Sequence, residues 1–185
     1  LETPYPNTGQ EAIEGCRRGD PKAQFELYMA YYKPMYHICL RMVGNPVEAE
    51  DVMQEAFLAA FTKIGTYEGR VSFGAWLKKI VINRSLDQLK KRKVKFEELN
   101  EKIPEDEPVH LEISEIQMEQ LKSAIQQLPD GYRVVLSLHL LEGYDHGEIA
   151  RILGISNGSS RSQYLRAKLR LRELLTKNAV FFECN

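Results

Sequence analysis

Apolar positions recur every three or four residues through most of this chain, and no stretch shows the alternation that a half-buried strand needs. Gln10–Arg18 reads as a short helix closed by Gly19. Pro21 opens a second helix, carrying Phe25, Leu27, Tyr28, Tyr31 and Tyr32 and continuing through Met35, Ile38, Leu40 and Met42 to Gly44. Pro34 is expected to kink or restart it, because proline has no N–H for the helical ladder. Asn45-Pro46, with Glu48 two residues on, is a capped start for a third helix, NPVEAEDVMQEAFLAAFTKI. Val52, Ala56, Ala59/Ala60 and Lys63/Ile64 trace its buried stripe, which leaves Glu50, Asp51, Gln54 and Glu55 largely outside. A turn-rich loop from Gly65 to Gly74 leads into a fourth helix, Ala75–Arg92, that ends in KKRK; Trp76, Leu77 and Ile80 are expected on its core face.

The C-terminal third carries a different signature. Asp145 precedes Glu148 by three residues, the spacing of a capping box, and Ile149, Ala150, Ile152 and Leu153 make the short helix that follows apolar. Gly154 supplies a left-handed corner, and Ser156 can cap a long helix from about Asn157 to about Leu175. A short helix, a glycine corner and a longer second helix form a helix-turn-helix, the unit whose second helix enters the major groove of DNA. In that second helix Tyr164, Ala167, Leu171 and Leu174 are spaced to pack inward. Arg161, Leu165 and Lys168 share another face, with Ser159, Ser162 and Arg166 beside it.

Composition changes this picture only in places. The 185 residues are 43% hydrophobic, room for one modest domain or two small ones. Net charge is −1, so the whole chain carries no field toward a polyanion. Its distribution is uneven: two slightly basic blocks flank an acidic stretch after Lys93, broken by Pro104 and Pro108. The expectation is an all-α fold of two small helical domains joined by an acidic linker, the C-terminal domain being the helix-turn-helix. Cys16, Cys39 and Cys184 are widely spaced and form no CxxC pair, so neither a disulfide framework nor a zinc site is indicated. No long apolar run or signal-peptide pattern is present, which points to the cytoplasm.

Two strings then carry a family resemblance. GNPVEAEDVMQEAFLAAFTKIGTYEGRVSFGAWLKKIVINRSLDQLKKRK resembles region 2 of bacterial RNA polymerase sigma factors of the extracytoplasmic-function (ECF) group. LPDGYRVVLSLHLLEGYDHGEIARILGISNGSSRSQYLRAKLRLREL resembles their region 4. The resemblance implies a tail over 1–9, a region 2 domain over 10–93, an acidic linker over 94–113, a region 4 domain over 114–177 and a second tail over 178–185. It implies that core RNA polymerase, through its β′ and β subunits, promoter DNA and an anti-sigma factor are the partners, with no small-molecule substrate. Glu50, Asp51, Gln54 and Glu55 would face the β′ coiled coil, with Phe57 as an apolar anchor.

For the −10 element, Tyr67 and Phe73 would supply rings for an extruded base, and Asn83 and Asp87 match the base-reading helix of the family. Lys78, Lys79, Arg84, Lys90, Lys91 and Arg92 would meet phosphates. For the −35 element, Ser159, Arg161, Ser162, Leu165, Arg166 and Lys168 would lie against DNA. The linker would thread the polymerase cleft. Two positions depart from the family pattern. Ser160 stands where an aliphatic core residue is usual and should weaken packing, and Gln163 stands where Arg is common and should remove one phosphate or base contact or replace it with a neutral amide.

Enzyme chemistry finds little support. His146-Gly147-Glu148 has half of a zinc-deaminase signature, but no P-C-x-x-C follows it. Glu107 and His110 have a di-metal spacing that Pro108 breaks, and no second copy exists. No catalytic residue, metal or cofactor is expected. A stand-alone helix-turn-helix regulator is the alternative, and it leaves the acidic third helix and the KKRK-terminated helix without work.

Overall fold

The computed structural model describes residues 9–94, 96 and 115–183; the side chains of 115–117 and 177–183, the tail ends, most of the 94–113 linker and the Glu107/His110 pair lie outside the described residues. Every regular element among the described residues is helical. The chain divides into two compact units, Leu1–Lys93 and Val94–Asn185. No described helix is long and apolar enough to cross a membrane.

The first unit holds α1 (Gln10–Arg17), α2 (Pro21–Val43), α3 (Pro46–Thr62), a 3-10 turn (Ile64–Thr66) and α4 (Phe73–Lys91). Local chemistry starts three of these helices. The Asp20 carboxylate accepts from the Lys22 N–H at 2.9 Å, ahead of Pro21. The Asn45 side chain accepts from the N–H groups of Val47 (2.9 Å) and Glu48 (3.1 Å), ahead of Pro46. The Ser72 hydroxyl accepts from the Ala75 N–H at 3.2 Å, so α4 begins at Phe73 and the expected loop is shorter than its glycines suggest. Leu27, Met35 and Met42 of α2 meet Val52, Ala56 and Ala60 of α3 and Leu77, Val81 and Leu89 of α4 in one buried core. Each large side chain buried there contributes about 1.5–3 kcal/mol.

Pro34 neither restarts nor ends α2, which runs unbroken past it. The residues around it, Tyr31, Met35 and Ile38, are all buried on one side of the helix. Their burial outweighs the ladder bond that proline removes, a loss on the order of 3 kcal/mol. Gly15 has a packing reason of its own: a Cβ there would stand 2.5 Å from Cβ of Ala23, so α1 can approach α2 only with glycine at this point.

The second unit holds α5 (Glu115–Gln126), α6 (Asp130–Leu136), a π-helical turn (Ser137–Leu141), α7 (His146–Leu153) and α8 (Asn157–Glu183). Ala124, Ile125, Leu128, Leu136, Ala167 and Leu171 form its core, with Tyr164 and Leu174 packed against them, so the inward face expected for α8 is the one that packs. Arg133 is buried, donates 2.9 Å to the Leu128 carbonyl and pairs with Asp130, which ties the turn between α5 and α6 to the base of α6. The capping box is complete: the Glu148 N–H donates to Asp145 at 2.7 Å and the Asp145 N–H to Glu148 at 2.9 Å. Gly154 closes α7 at φ 68°, a conformation that side chains with a Cβ rarely adopt. Ser156 then caps α8, its hydroxyl accepting from the Ser159 N–H at 3.1 Å.

Candidate nucleic-acid interface and partner surface

Three exposed faces emerge from this packing. On α3, Glu50, Asp51, Gln54 and Glu55 all point to solvent, and Gln54 reaches Glu50 one turn away at 3.5 Å. Phe57 does not join them. It is 3% exposed, edge-on to Tyr28 at 4.9 Å between ring centroids and tilted against Phe61, so it is part of the core and offers no anchor. The helical phase explains the miss: Phe57 stands four residues after buried Met53 and directly after buried Ala56. The apolar group on the outer face is Leu58, 68% exposed, four residues beyond Gln54 and three beyond Glu55; Val47 is exposed four residues before Asp51. Phasing the stripe over the whole helix, rather than looking for the nearest aromatic, selects Leu58.

The second face is on α4. Asn83, Asp87, Lys90 and Lys91 are exposed and Arg84 is half-buried; Asp87 and Lys90 pair at 3.8 Å. Trp76, Lys79, Asn83, Asp87 and Lys90 follow one another at spacings of three or four and so share a side of the helix. The rings assigned to base stacking are elsewhere. Tyr67 is 9% exposed and Phe73 is buried; their rings meet at 5.7 Å, and Phe73 also meets Tyr31 at 5.3 Å. The Tyr67 hydroxyl donates to the Val71 carbonyl at 2.7 Å, and Arg17 donates to the Tyr67 carbonyl. Burial, with Tyr31 adding to it and Arg17 opposing, raises the Tyr67 phenol above its ordinary value.

Tyr67 and Phe73 therefore hold the loop in place and expose little ring surface. Trp76, assigned to the core by its apolar neighbours, packs against both yet is only half-buried. Arg92 is likewise not a free phosphate contact. It donates 2.7 Å to the Val43 carbonyl and 3.2 Å to the Glu48 carboxylate.

The third face is on α8. Arg161 is exposed and Leu165, Arg166 and Lys168 are half-buried. Arg161 is braced from below, its Nε donating to the Asn157 side chain at 2.9 Å, and the Lys168 ammonium lies 5.4 Å from the Tyr164 ring centre. Ser159 and Ser162 do not join this face: they are 0% and 4% exposed. The register that turns Ala167 and Leu171 inward also turns Ser159, Ser160, Ser162 and Gln163 away from solvent, and Ser159 receives the Ser156 hydroxyl at 2.8 Å as part of the cap. Gln163 is buried, so its amide does not replace an arginine at a DNA surface. Ser160 is buried with a polar partner, His146, whose Nδ1 is 2.9 Å from its hydroxyl.

Comparison with known proteins agrees with this arrangement of helices. The family model for sigma-70 region 2 matches residues 27–94, and that for sigma-70 region 4 matches residues 118–171. The ECF RNA polymerase sigma factor SigW of Bacillus subtilis (strain 168) is 31% identical over 183 residues, covering 90% of this chain and 96% of that protein. The RNA polymerase sigma-H factor of Pseudomonas aeruginosa is 29% identical over 172 residues, covering 86% and 89%. Among solved structures, the sigma factor RpoE bound to the anti-sigma factor NepR from Bartonella quintana shares the fold at a TM-score of 0.55 and 23% identity, over 82% of this chain and 95% of that one. CnrH in complex with the cytosolic domain of CnrY does so at 0.53 and 20%, over 92% and 98%. With both modules present in order, and a relative at this identity matched along nearly its whole length, the chain belongs to the ECF RNA polymerase sigma factors.

Proposed function

We propose that this sigma factor directs core RNA polymerase to its promoters through the three faces described above, one per task. The acidic face of α3, Glu50, Asp51, Gln54 and Glu55 with Leu58 as its apolar anchor, docks on a basic helical surface of the β′ subunit. The α4 face, Trp76 with Asn83, Asp87 and the phosphate-facing Lys79, Lys90 and Lys91, takes the opened −10 strand. The α8 face, Arg161, Leu165, Arg166 and Lys168, lies in the major groove at the −35 element, while region 4 also engages the β subunit. The linker over 94–113 passes through the polymerase between them. The nucleotide chemistry belongs to the polymerase, and the chain contributes no catalytic residue.

The observation that carries this reading is the union in one chain of a carboxylate-faced helix with a cationic helix-turn-helix. A lone DNA-binding regulator has no use for the first. RpoE is seen with the anti-sigma factor NepR, and CnrH with the cytosolic domain of CnrY. By the same logic an anti-sigma protein covers these faces until a signal arrives, holding the factor in the cytoplasm or at the inner face of the membrane.

The deciding experiment is co-purification with core polymerase, followed by transcription from a promoter library. A stoichiometric complex that initiates at a restricted set of promoters supports the reading. Absence of the complex, together with nanomolar sequence-specific binding of duplex DNA by the chain alone at physiological salt, would favour the stand-alone regulator instead.

A further inference from the structure

The π-helical turn Ser137–Leu141 sets His139 face to face with His146, the first residue of α7, at 4.3 Å between ring centres and 18° between planes. Tyr164 of α8 stands edge-on to both rings, at 4.6 Å from His139 and 5.6 Å from His146. His139 Nδ1 is 2.8 Å from the Tyr144 carbonyl; since a carbonyl only accepts, that nitrogen carries the proton. His146 Nδ1 is 2.9 Å from the hydroxyl of Ser160, which is buried one turn into α8. Two imidazoles and one serine thus join the π-turn, the start of α7 and the start of α8, and Arg161, the next residue after Ser160, faces outward. We propose that His146, braced by the His139 stack, is the positioning residue of the DNA-reading helix, and that it holds α8 in register only while its own imidazole is uncharged.

The surroundings give the proposal its sign. The groups around the pair are Glu142, Tyr144 and Asp145 in the turn, Glu148 on α7, and Arg161, Tyr164 and Lys168 on α8. Burial is the chief cause that holds His146 down to about 4, with His139 and Arg161 adding to it and Asp145 opposing. A stacked neutral pair gains contact, whereas a second cation at this separation repels the first and faces Arg161 as well. When α8 swings away, His146 regains an ordinary value near 6.5. The released state then binds the proton more tightly. The hold is fully present above about pH 7, weakens as pH falls through 6.5, and is lost on approach to 4.

The pair also gives a reason for serine at position 160. An aliphatic residue there would take from the half-buried His146 the hydroxyl that its Nδ1 meets. That acid would weaken −35 reading follows only if α8 reads DNA as proposed above. The positioning role itself is testable on the full chain without DNA or polymerase, so the two can fail separately.

The test is an NMR titration of the full-length protein, following the His146 ring and amide protection along Ser160–Lys168, corrected for intrinsic exchange. The expected result is a His146 midpoint far below 6.5 and a roughly tenfold loss of α8 protection between pH 7 and pH 5, with α2–α4 unchanged. His146→Asn places an uncharged amide where Nδ1 stood; it should keep α8 protected and flatten the pH profile. Ser160→Ala should lower protection at every pH. A His146 midpoint near 6.5 with α8 protection unaltered would overturn the proposal, as would a His146→Asn profile that matches the wild type. Should the Asn variant fail to fold, the wild-type titration decides alone: α8 protection must begin to fall near pH 6.5, above the ring midpoint of His146, and constant protection from pH 7 to pH 5 refutes the proposal.

Discussion

Arg92, the residue that ends α4, reaches back to Glu48 in the first turn of α3 at 3.2 Å and to the Val43 carbonyl at the end of α2 at 2.7 Å. One guanidinium thus ties together the ends of three helices and occupies a carbonyl that α2 leaves without a helical partner. Arg92→Ala is expected to destabilise the first unit by about 1–2 kcal/mol, because a charge-assisted bond to a carbonyl is lost at a partly exposed site. Urea unfolding followed by circular dichroism measures it. Arg92→Lys should recover only part of the loss, since both bonds leave from the one Nη1 atom and a flexible ammonium is not held at that point.

Phe57 and its neighbour Leu58 on α3 separate stability from docking. Phe57→Ala should cost about 3–5 kcal/mol of folding stability, the range for truncating a buried ring. Leu58→Ala and the double reversal Asp51→Lys with Glu55→Lys should leave the thermal midpoint nearly unchanged, because these side chains are exposed. They should instead lower polymerase retention on an affinity column. Retention equal to wild type in both would show that this face is only solvated.

Tyr67 and Trp76 make a matched pair in the same cluster, 5.4 Å apart. Tyr67→Phe removes the bond to Val71 and should lower stability by about 1 kcal/mol, with little change in −10 strand capture. Trp76→Ala should weaken capture of a single-stranded −10 oligonucleotide by the holoenzyme by about 1–3 kcal/mol, the worth of one stacked base. Fluorescence anisotropy of the labelled strand, read beside a melting curve, distinguishes the two. Equal capture by wild type and Trp76→Ala at equal stability would remove Trp76 from the DNA surface.

On α8 the contrast lies between base edges and backbone. Arg161→Ala should relax preference at particular −35 base pairs by about 1–3 kcal/mol, as expected for loss of a paired contact to guanine. Arg172→Ala, about three turns further along and exposed, should lower activity evenly or not at all. Ser159→Ala should act through the Ser156 cap and reduce helix stability without touching specificity. Transcription from promoters changed one base pair at a time measures all three. A uniform loss for Arg161→Ala would make it a phosphate clamp.

Helix starts in this chain are written locally. Asp20-Pro21, Asn45-Pro46 and the Asp145/Glu148 box each place a capping acceptor within three residues of the N–H it serves, so the sequence alone determines them, and the Gly154 corner with them. The all-α class and the exposed acidic face of α3 follow from the period of the apolar residues, which needs no knowledge of what packs where.

What only the tertiary structure decided is which of two similar neighbours is turned inward. Phe57 against Leu58 was open to the phase of the apolar stripe, whereas Tyr67 and Phe73 against Trp76, and Ser159 and Ser162 against Arg161, are choices made by a rotation of a helix or loop through a fraction of a turn. That rotation is set by contacts between residues dozens of positions apart, as where Phe73 meets Tyr31. The same holds for the continuous α2 through Pro34 and for the stacking of His139 on His146, which depends on a π-turn that no local pattern announces. Local caps and periods act over one or two turns of helix. Core packing acts across the whole unit, and where the two differ by less than a few kcal/mol the packing prevails.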